Sequence, residues 1–190
     1  MTDQPLSPQE LGRLVTEAQD GNTESFGEIY DAYMTPIYRY VVFRYPTELA
    51  EDLVADVFVK AWEKLHTYKE RSGIPFSAWL FRIARHTLID AYRAHRGFEE
   101  LNEELVDENT RNSPASQTDV SFSVARVRGA LNQLPRTYRE VLLLHFVAGL
   151  GHQEIAQALW RTEGSVRILK MRALKKLEAL LPEYREQGNI

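Results

Sequence analysis

The chain has 190 residues, enough for one sizeable domain or for two small ones with separate cores. It contains no cysteine, which excludes disulfides, thiolate zinc sites and thiol redox sensing, and its net charge of -4 argues against a uniformly basic nucleic-acid binder. No stretch resembles a signal peptide or approaches the length of a membrane span, so we expect a soluble cytoplasmic protein without membrane insertion.

The charges are sorted into blocks along the chain. Residues 98–123 hold 7 acidic residues against 1 arginine, a net charge of -6. Residues 124–182 hold 10 Lys or Arg against 4 acidic residues, a net charge of +6. This distribution favours a basic C-terminal unit that follows an acidic, self-repelling linker.

The N-terminal part is predicted to be helical. Residues 1–8 carry Pro, Ser and Asp, and we expect them to be disordered. The spacing of apolar residues predicts a helix over residues 8–19 and a second helix from about residue 23, with a bend or restart near Pro36 and an end before Pro46. The aromatic residues of the second helix are expected in the core rather than around a cofactor.

Residues 47–65 predict a third helix with an acidic first turn and one apolar side. An acidic edge formed by Glu51, Asp52 and Asp56 lies beside Phe58 and Trp62, which we expect to be exposed. Large apolar residues rimmed by charge are typical of a protein-docking surface. A solvated acidic face is the simpler interpretation of the same pattern.

A loop over residues 66–75 leads to a fourth predicted helix, residues 76–96, which has two faces. Its apolar face comprises Phe76, Leu80, Ile83, Ala84, Thr87, Leu88 and Ala91. Its opposite face comprises Arg82, Arg85, His86, Ile89, Arg93 and Arg96, with Trp79 and Phe81 at the margins. Basic residues beside aromatic ones suit unpaired nucleic acid, because arginines hold phosphates and rings stack on bases. A solvated amphipathic helix with Trp79 in the core is the alternative.

The C-terminal part begins after the acidic linker. Helices are predicted over residues 124–134 and 137–148, separated by Pro135, and Gly149 and Gly151 end the second of them. Residues 152–181 then have the pattern of a helix-turn-helix, with a short helix, a polar break and a longer helix capped by Thr162. Basic residues lie off the apolar stripe of the longer helix: Arg167, Lys170, Arg172, Lys175 and Lys176. Such a helix fits the DNA major groove, although a helical hairpin with solvated lysines has the same pattern.

Taken together, these segments predict an all-α chain with two small helical domains. The first domain covers residues 9–97 and the second covers residues 124–182. The flexible acidic linker, residues 98–123, joins them, and residues 183–190 form a tail.

Several of these stretches, in the order in which they occur, resemble a bacterial extracytoplasmic-function (ECF) sigma factor, a member of the sigma-70 superfamily of RNA polymerase subunits. Residues 50–62, AEDLVADVFVKAW, resemble the helix that docks on the clamp helices of the polymerase β′ subunit. Residues 79–93, WLFRIARHTLIDAYR, resemble the helix that meets the promoter -10 element. Residues 134–159 and 163–177 resemble the domain that reads the -35 element and touches the β flap.

The resemblance implies roles for particular residues. Polymerase docking is assigned to Asp52, Ala55, Asp56 and Phe58. Contact with the -10 element is assigned to Tyr68, Trp79, Arg82, Ile83, Ala84, Arg85, His86 and Arg93. Four of these, Tyr68, Ile83, Ala84 and His86, match positions that shape a pocket for a flipped-out base, and Trp79 and Arg82 lie beside it. Contact with the -35 element is assigned to Ser165, Arg167, Lys170, Met171, Arg172 and Lys175. Promoter DNA and an anti-sigma factor are implied partners, with Phe58, Trp62 and Ile168 as candidate contacts for the latter. The resemblance implies no catalytic residue, metal or cofactor.

The sequence departs from the family pattern at a few positions. His86 stands where many relatives have Asn, and Trp160 stands in a turn where Gly is common. Ile168 and Leu169 replace a common Ser and Arg pair, and Ile168, which lies off the apolar stripe, is expected to touch a thymine methyl or a protein partner. The promoter preference therefore cannot be carried over from relatives.

Two other classes of function compete with this interpretation. An enzyme would have to use His86 with Asp90, or His145 with His152 and Glu154. Neither set has a further ligand at a suitable spacing, a phosphate-binding loop or a nucleophile with its base. A helix-turn-helix regulator that binds DNA without joining polymerase has no use for both a docking helix and an aromatic, basic helix. We therefore predict an alternative sigma factor that binds core polymerase, recognises -10 and -35 elements and promotes initiation by capturing an unpaired -10 base.

Overall fold

The computed structural model of the chain describes residues 6–45, 47–69, 73–99 and 119–181. Within these ranges all regular elements are helical, as the sequence predicts, and no strand occurs. The α-helices are α1 (Pro8–Gln19), α2 (Thr23–Val42), α3 (Thr47–Lys64), α4 (Phe76–Glu99), α5 (Asp119–Gln133), α6 (Arg136–Leu142), α7 (His152–Leu159) and α8 (Glu163–Leu180). A 3₁₀ turn, Leu65–Thr67, follows α3, and a π-helical turn, Leu143–Val147, follows α6. Within the same ranges, every helix is too short or too polar to cross a lipid bilayer.

The N-terminal domain consists of α1–α4 around one apolar core. Helix α1 begins at Pro8 because the Ser7 side chain caps it, accepting a hydrogen bond from the Glu10 amide at 3.2 Å. The Asn22 side chain caps α2 in the same way and accepts from the Glu24 amide at 2.9 Å. Fully or almost fully buried side chains come from all four helices: Leu14, Ile29, Ile37, Tyr40, Val57, Ala61, Leu80 and Phe81.

Helix α2 continues through Pro36, so the predicted restart of the helix at this residue is wrong. Proline has no backbone N–H, and the helix therefore lacks one hydrogen bond in this turn. The apolar residues that follow, Ile37, Tyr40 and Val41, are completely buried. Their packing holds the end of α2 in helical conformation, because tertiary burial contributes more to helix stability than local propensity does.

The apolar faces predicted for α3 and α4 lie in the core. On α3 and at the start of the 3₁₀ turn that follows it, buried residues recur every four positions, at Leu53, Val57, Ala61 and Leu65. On α4 the buried set includes Phe76, Leu80, Ile83, Ala84, Thr87 and Leu88. Phe81 is also buried, with its ring edge-on to the Tyr40 ring at a centroid distance of 5.4 Å, so it is not marginal as predicted.

The C-terminal domain consists of α5–α8. Helix α5 starts at Asp119, earlier than the predicted residue 124. The predicted helix over residues 137–148 is shorter as an α-helix, because it changes to the π-helical turn at Leu143. Gly149, with a φ of 77°, ends this turn as predicted. Residues 1–5, 46, 70–72, 100–118 and 182–190 lie outside the described residues. They include most of the N-terminus that was predicted to be disordered, most of the linker and the tail.

The helix-turn-helix of α7 and α8 has the predicted arrangement. The Thr162 side chain caps α8 and accepts from the Ser165 amide at 3.2 Å. Helix α7 ends at Trp160, which has a left-handed φ of 55°, and the amide of Arg161 donates to the Ala156 carbonyl at 2.8 Å. Glycine usually occupies this position in a helix C-terminus, because a side chain there is strained.

The two domains touch along α4 and α7, with additional contact between α2 and the π-helical turn. This contact lies directly over one of the predicted DNA-binding surfaces, as described below.

Candidate nucleic-acid interface

The basic face of α4 is only partly open to solvent. Its four predicted DNA contacts divide into an exposed pair, His86 and Arg93, and a half-buried pair, Arg82 and Arg85. The C-terminal domain covers Arg82, whose guanidinium donates to the Gln157 carbonyl at 2.6 Å and lies 3.9 Å from the centroid of the Trp160 ring. This loss of water lowers the pKa of Arg82 from its ordinary value, although the group stays charged.

A buried carboxylate of the C-terminal domain meets the N-terminal domain beside this face. Glu140 on α6 accepts hydrogen bonds from the Tyr40 hydroxyl at 2.5 Å and from the Arg44 guanidinium, and the Arg85 Nε lies 3.9 Å away. Glu140 is 3% exposed, and its charge is accommodated because cations and a hydroxyl surround it. Burial, which disfavours the phenolate, raises the pKa of Tyr40 well above its ordinary value.

We refer to the residues that join the two domains as the interdomain clasp: Tyr40, Arg44, Ser77, Arg82, Arg85, Glu140, Glu154, Gln157 and Trp160. At its other end the Ser77 hydroxyl donates to the Glu154 carboxylate. Of this set, only Arg82 and Arg85 were predicted site residues, as DNA contacts; Glu154 was considered only for the enzyme alternative, and Trp160 only as a departure from the family pattern. The contacts of the clasp join residues up to 100 positions apart, so no local sequence pattern predicts them. The one sequence feature that pointed to this region was the tryptophan at position 160, where relatives often have glycine.

Three aromatic rings form a cluster where the 3₁₀ turn leads into α4. The rings of Tyr68, Phe76 and Trp79 lie within 5.2 to 5.4 Å of one another, centroid to centroid. The Tyr68 hydroxyl donates to the Ile74 carbonyl at 3.1 Å, and the Gln19 side-chain amide donates to the Tyr68 carbonyl at 2.8 Å. These bonds fix the segment that precedes α4 against α1.

A cavity of about 400 Å³ lies beside this cluster. Its walls include Tyr33, Tyr68, Phe76 and Ser77 from the N-terminal domain and Glu154 from α7. Burial raises the pKa of the Tyr33 hydroxyl above its ordinary value, and the nearby Glu154 carboxylate adds to the effect. An aromatic cavity of this size admits a planar base, but in this conformation a carboxylate forms part of its wall.

The four residues predicted to shape a base pocket are not brought together. Tyr68 lines the cavity, whereas Ile83, Ala84 and His86 do not. Ile83 and Ala84 lie in the core, and His86 is on the exposed face of α4. The predicted pocket is therefore divided between a cavity, the core and the surface in this conformation.

The basic face of α8, in contrast, is open. Its predicted DNA contacts are exposed at Arg167, Met171, Arg172 and Lys175, and half-buried at Ser165 and Lys170. Arg167 forms an ion pair with Glu163, one turn earlier, at 2.6 Å. The Lys170 Nζ lies 3.2 Å from the His145 Nε2. Ile168 is 48% exposed, as predicted.

Two histidines lie behind α8. The rings of His145 and His152 stack at a centroid distance of 5.2 Å. Burial lowers the pKa of His152 from its ordinary value, and the charge of Lys170 lowers it further. Among the described residues no group of three histidine or acidic side chains is arranged to hold a metal ion.

The predicted docking face of α3 is exposed at Asp52, Ala55 and Asp56. Phe58 is 4% exposed and packs against the Tyr30 ring at 4.5 Å, so its predicted exposure is wrong. Phe58 follows Val57 on α3 and is covered by Tyr30 of α2. The sequence of α3 alone does not show that an aromatic residue of another helix lies there. Trp62, in contrast, is 36% exposed, with its ring edge-on to Phe26 at 4.9 Å.

The chain matches two known families in the order of its domains. Residues 29–98 match Sigma-70 region 2, and residues 125–177 match Sigma-70, region 4. The chain is 34% identical over 173 residues to the ECF RNA polymerase sigma factor BldN of Streptomyces coelicolor, a match that covers 90% of this chain and 65% of BldN. It is 31% identical over 157 residues to the ECF RNA polymerase sigma factor SigM of Bacillus subtilis, covering 80% of this chain and 93% of SigM.

Solved structures with a similar fold are also known. CnrH, in a complex with the cytosolic domain of CnrY, has a TM-score of 0.69 and 28% identity, covering 90% of this chain and 96% of CnrH. The sigma factor RpoE of Bartonella quintana, in a complex with the anti-sigma factor NepR, has a TM-score of 0.67 and 23% identity, covering 84% of this chain and 98% of RpoE. The likeness to RpoE concerns the fold alone.

Proposed function

Because the chain belongs to the ECF group of the sigma-70 family, we propose that it brings core RNA polymerase to promoters whose -10 and -35 elements are read by its two domains. Membership of this family makes it an alternative sigma factor, which acts in transcription initiation. The finer proposal is supported chiefly by one observation. Two basic helical faces, one on α4 and one on α8, lie in separate domains on one chain.

We assign recognition of the -35 element to α8. The exposed cations Arg167, Arg172 and Lys175 can meet phosphates and base edges in the major groove, and Met171, which is 63% exposed, can meet a thymine methyl. Ser165 lies in the first turn of α8, where backbone amides and the helix dipole favour a phosphate. Lys170 would join them by exchanging its contact with His145 for one with DNA, and the same domain would touch the β flap.

We assign recognition of the -10 element to α4 and the aromatic cluster before it. Arg82, Arg85, His86 and Arg93 would hold the phosphates of an unpaired strand, while Tyr68 and Trp79 would take the exposed base. Ile83 and Ala84 would contribute indirectly, because they are core residues whose packing fixes the orientation of α4. Promoter opening then needs no ATP, because a protein that binds the exposed base preferentially draws the duplex open.

Docking on core polymerase is assigned to α3. Asp52, Ala55 and Asp56 would face the clamp helices of β′, since these residues are exposed on one helix. Phe58 would act indirectly, by holding α3 against Tyr30 on α2. A charged, specific contact of this kind sets orientation as well as affinity.

We also propose an anti-sigma partner, by analogy with CnrH, whose structure is known in a complex with the cytosolic domain of CnrY. Trp62 and Ile168 are the candidate contacts, because both are large, apolar and exposed. Phe58 is withdrawn from this set because it is buried. The proposed role is binding alone, in the cytoplasm beside the polymerase, without a reaction or cofactor of its own.

Run-off transcription with purified core polymerase over a genomic promoter library tests this function. We expect initiation from a limited set of promoters, and their alignment yields the -10 and -35 sequences. The chain should co-elute with core polymerase as a monomer and bind duplex DNA weakly on its own. A folded chain that fails to associate with core polymerase, or that binds palindromic duplex DNA tightly as a dimer, would overturn the proposal in favour of a conventional regulator.

A further inference from the structure

Building on the -35 role proposed above for α8, we propose that His145 is a positioning residue for Lys170. As a neutral imidazole it holds the Lys170 ammonium against the C-terminal domain, and as an imidazolium it releases that ammonium to -35 DNA. One contact of the -35 reader thereby depends on pH. The two residues belong to the π-helical turn and to α8, both in the C-terminal domain.

The two nitrogens of the His145 ring have different partners. Nδ1 lies 2.9 Å from the Leu150 carbonyl oxygen, and Nε2 lies 3.2 Å from the Lys170 Nζ. A carbonyl can only accept a hydrogen bond and an ammonium can only donate one, so Nδ1 carries the proton of the ring and Nε2 is the acceptor. Both neighbours therefore select the same neutral tautomer.

Two further features fix the direction in which Nε2 points. The His145 ring is stacked on the His152 ring at a centroid distance of 5.2 Å. Gly149, with its φ of 77°, reverses the chain after the π-helical turn, which brings the Leu150 carbonyl back to Nδ1. The imidazole therefore cannot turn away from Lys170 without losing the hydrogen bond to this carbonyl.

A second proton on the His145 ring removes this contact. An imidazolium carries an N–H at both nitrogens, so Nε2 can no longer accept a hydrogen bond from Lys170. Two positive charges 3.2 Å apart also repel each other. Because Lys170 has a flexible stem, the repulsion moves its ammonium outward to the face of α8 that it shares with Arg167, one turn away. Histidine is the residue whose charge ordinarily changes between about pH 5 and 8.

Other charged and titratable groups lie around this turn on α2, α6, α7 and α8. Burial lowers the pKa of His152, and the charge of Lys170 lowers it further, so the His152 ring stays neutral at pH values where an ordinary imidazole is charged. The remaining groups have partners of their own: Tyr40 and Arg44 with Glu140, Arg139 with Asn132, Glu154 with the Gly151 amide, and Glu163 with Arg167. Within the described residues, Lys170 is the only charged group with a hydrogen bond to the His145 ring, so it responds most directly to a proton there.

The tautomer of His145 and its response to pH can be observed in the full chain without polymerase. We expect nitrogen NMR of the imidazole at about pH 8 to show a His145 ring that is protonated at Nδ1 and unprotonated at Nε2. As the pH falls, the side-chain signals of Lys170 should shift together with those of the His145 ring, whereas the signals of the exposed Lys176 should not. A neutral ring protonated at Nε2, or Lys170 signals that do not follow the ring, would overturn the proposed contact.

Initiation from a -35-dependent promoter tests the consequence. Dividing the transcript yield of each variant by that of the parent chain at the same pH removes the pH dependence of core polymerase itself. We expect His145→Phe, which keeps a ring against His152 but has no acceptor, to raise initiation about threefold at about pH 8 and to leave it unchanged at about pH 6. In a chain that also carries Lys170→Met the gain should disappear, because no ammonium remains to be released.

His145→Gln and His66→Phe are the matched controls. Glutamine offers an oxygen acceptor that takes up no proton, so we expect His145→Gln to match the parent at about pH 8 and to fall about threefold below it at about pH 6. His66→Phe removes an exposed imidazole of the N-terminal domain and should match the parent at both pH values. An equal gain in His66→Phe, or a gain from His145→Phe that persists with Lys170→Met, would contradict the role of His145. Failure to support initiation at all would instead overturn the proposed function, because the tautomer is measured in the free chain.

Discussion

The basic face of α8 is open to solvent, whereas the basic face of α4 is covered by the other domain. On α8 the nearest acidic partner is local, since Glu163 pairs with Arg167 one turn away. On α4 the partners come from α6 and α7, through Glu140, Gln157 and Trp160. A local ion pair at an exposed site is weak and leaves the cations available, but long-range contacts remove a whole face from solvent.

A basic amphipathic helix therefore does not by itself define a DNA-binding surface that is open to solvent. Both faces have the composition expected of a nucleic-acid reader. Their availability depends on tertiary contacts, which leave the face of α8 open and cover part of the face of α4.

The largest expected effect concerns the polymerase-docking surface on α3, which we propose is separate from the two DNA-binding faces. We expect the charge reversals Asp52→Lys and Asp56→Lys together to weaken binding to core polymerase by about 100-fold, because like charges across an interface repel strongly. Affinity measured by fluorescence anisotropy of labelled chain checks this. The distance between the two domains in the free chain should not change, since neither residue belongs to the interdomain clasp.

The open face of α8 can be tested next. We expect Arg167→Ala and Lys170→Ala each to reduce -35-dependent initiation by about tenfold, because each removes a contact with a phosphate or a base edge. Binding to core polymerase should stay unchanged. The matched control is Lys176→Ala, which removes an exposed cation of α8 outside the predicted set. If the Asp52 and Asp56 reversals gave the same pattern of defects, the assigned division of labour would be wrong.

The exposed end of the basic face of α4 can be tested separately from its covered part. Arg93 lies outside the clasp, so we expect Arg93→Ala to weaken single-strand binding about threefold. The slope of log affinity against log salt should become shallower by about 0.7, as expected for one lost phosphate contact on a single strand. Arg13→Ala on α1 provides an exposed arginine control. No change in the salt slope would remove Arg93 from the DNA-binding set.

The smallest expected effect concerns the histidine pair behind α8. The pKa of His152 is lowered in the folded chain, so the unfolded chain takes up a proton first as the pH falls below about 6.5. Stability from this residue is therefore present above that pH and is lost below it, by a few tenths of a kcal/mol because the ring is partly solvated. Denaturant titrations at pH 7.5 and 5.5 should show a smaller difference for His152→Gln than for the parent chain. His66→Gln, on the other domain, should retain the parental difference.

Much of the fold could be predicted from the sequence because helix signals are local. Thr162 caps α8 as expected, and the side of α3 predicted to be apolar lies in the core at Leu53, Val57 and Ala61. Errors arose where tertiary packing overrides a local signal. Pro36 does not break α2 because the residues after it are buried, and Phe58 is covered by an aromatic residue of a neighbouring helix.

The candidate site was predicted less completely than the fold. The sequence identifies which face of α4 is basic, but it carries no sign that Glu140 lies against Tyr40, at a separation of 100 residues. The family resemblance implies contacts with DNA and polymerase. It gives no information about the contacts that the same residues make within the chain when DNA and polymerase are absent. The departure at Trp160 was visible from the sequence, and its left-handed backbone and its contact with Arg82 required coordinates.

The left-handed tryptophan also limits which residues position 160 can hold. Glycine would relieve about 1 kcal/mol of backbone strain there, whereas a β-branched residue would increase it. Two substitutions separate the strain from the ring contact, because glycine removes both the strain and the ring over Arg82, and alanine removes the ring alone.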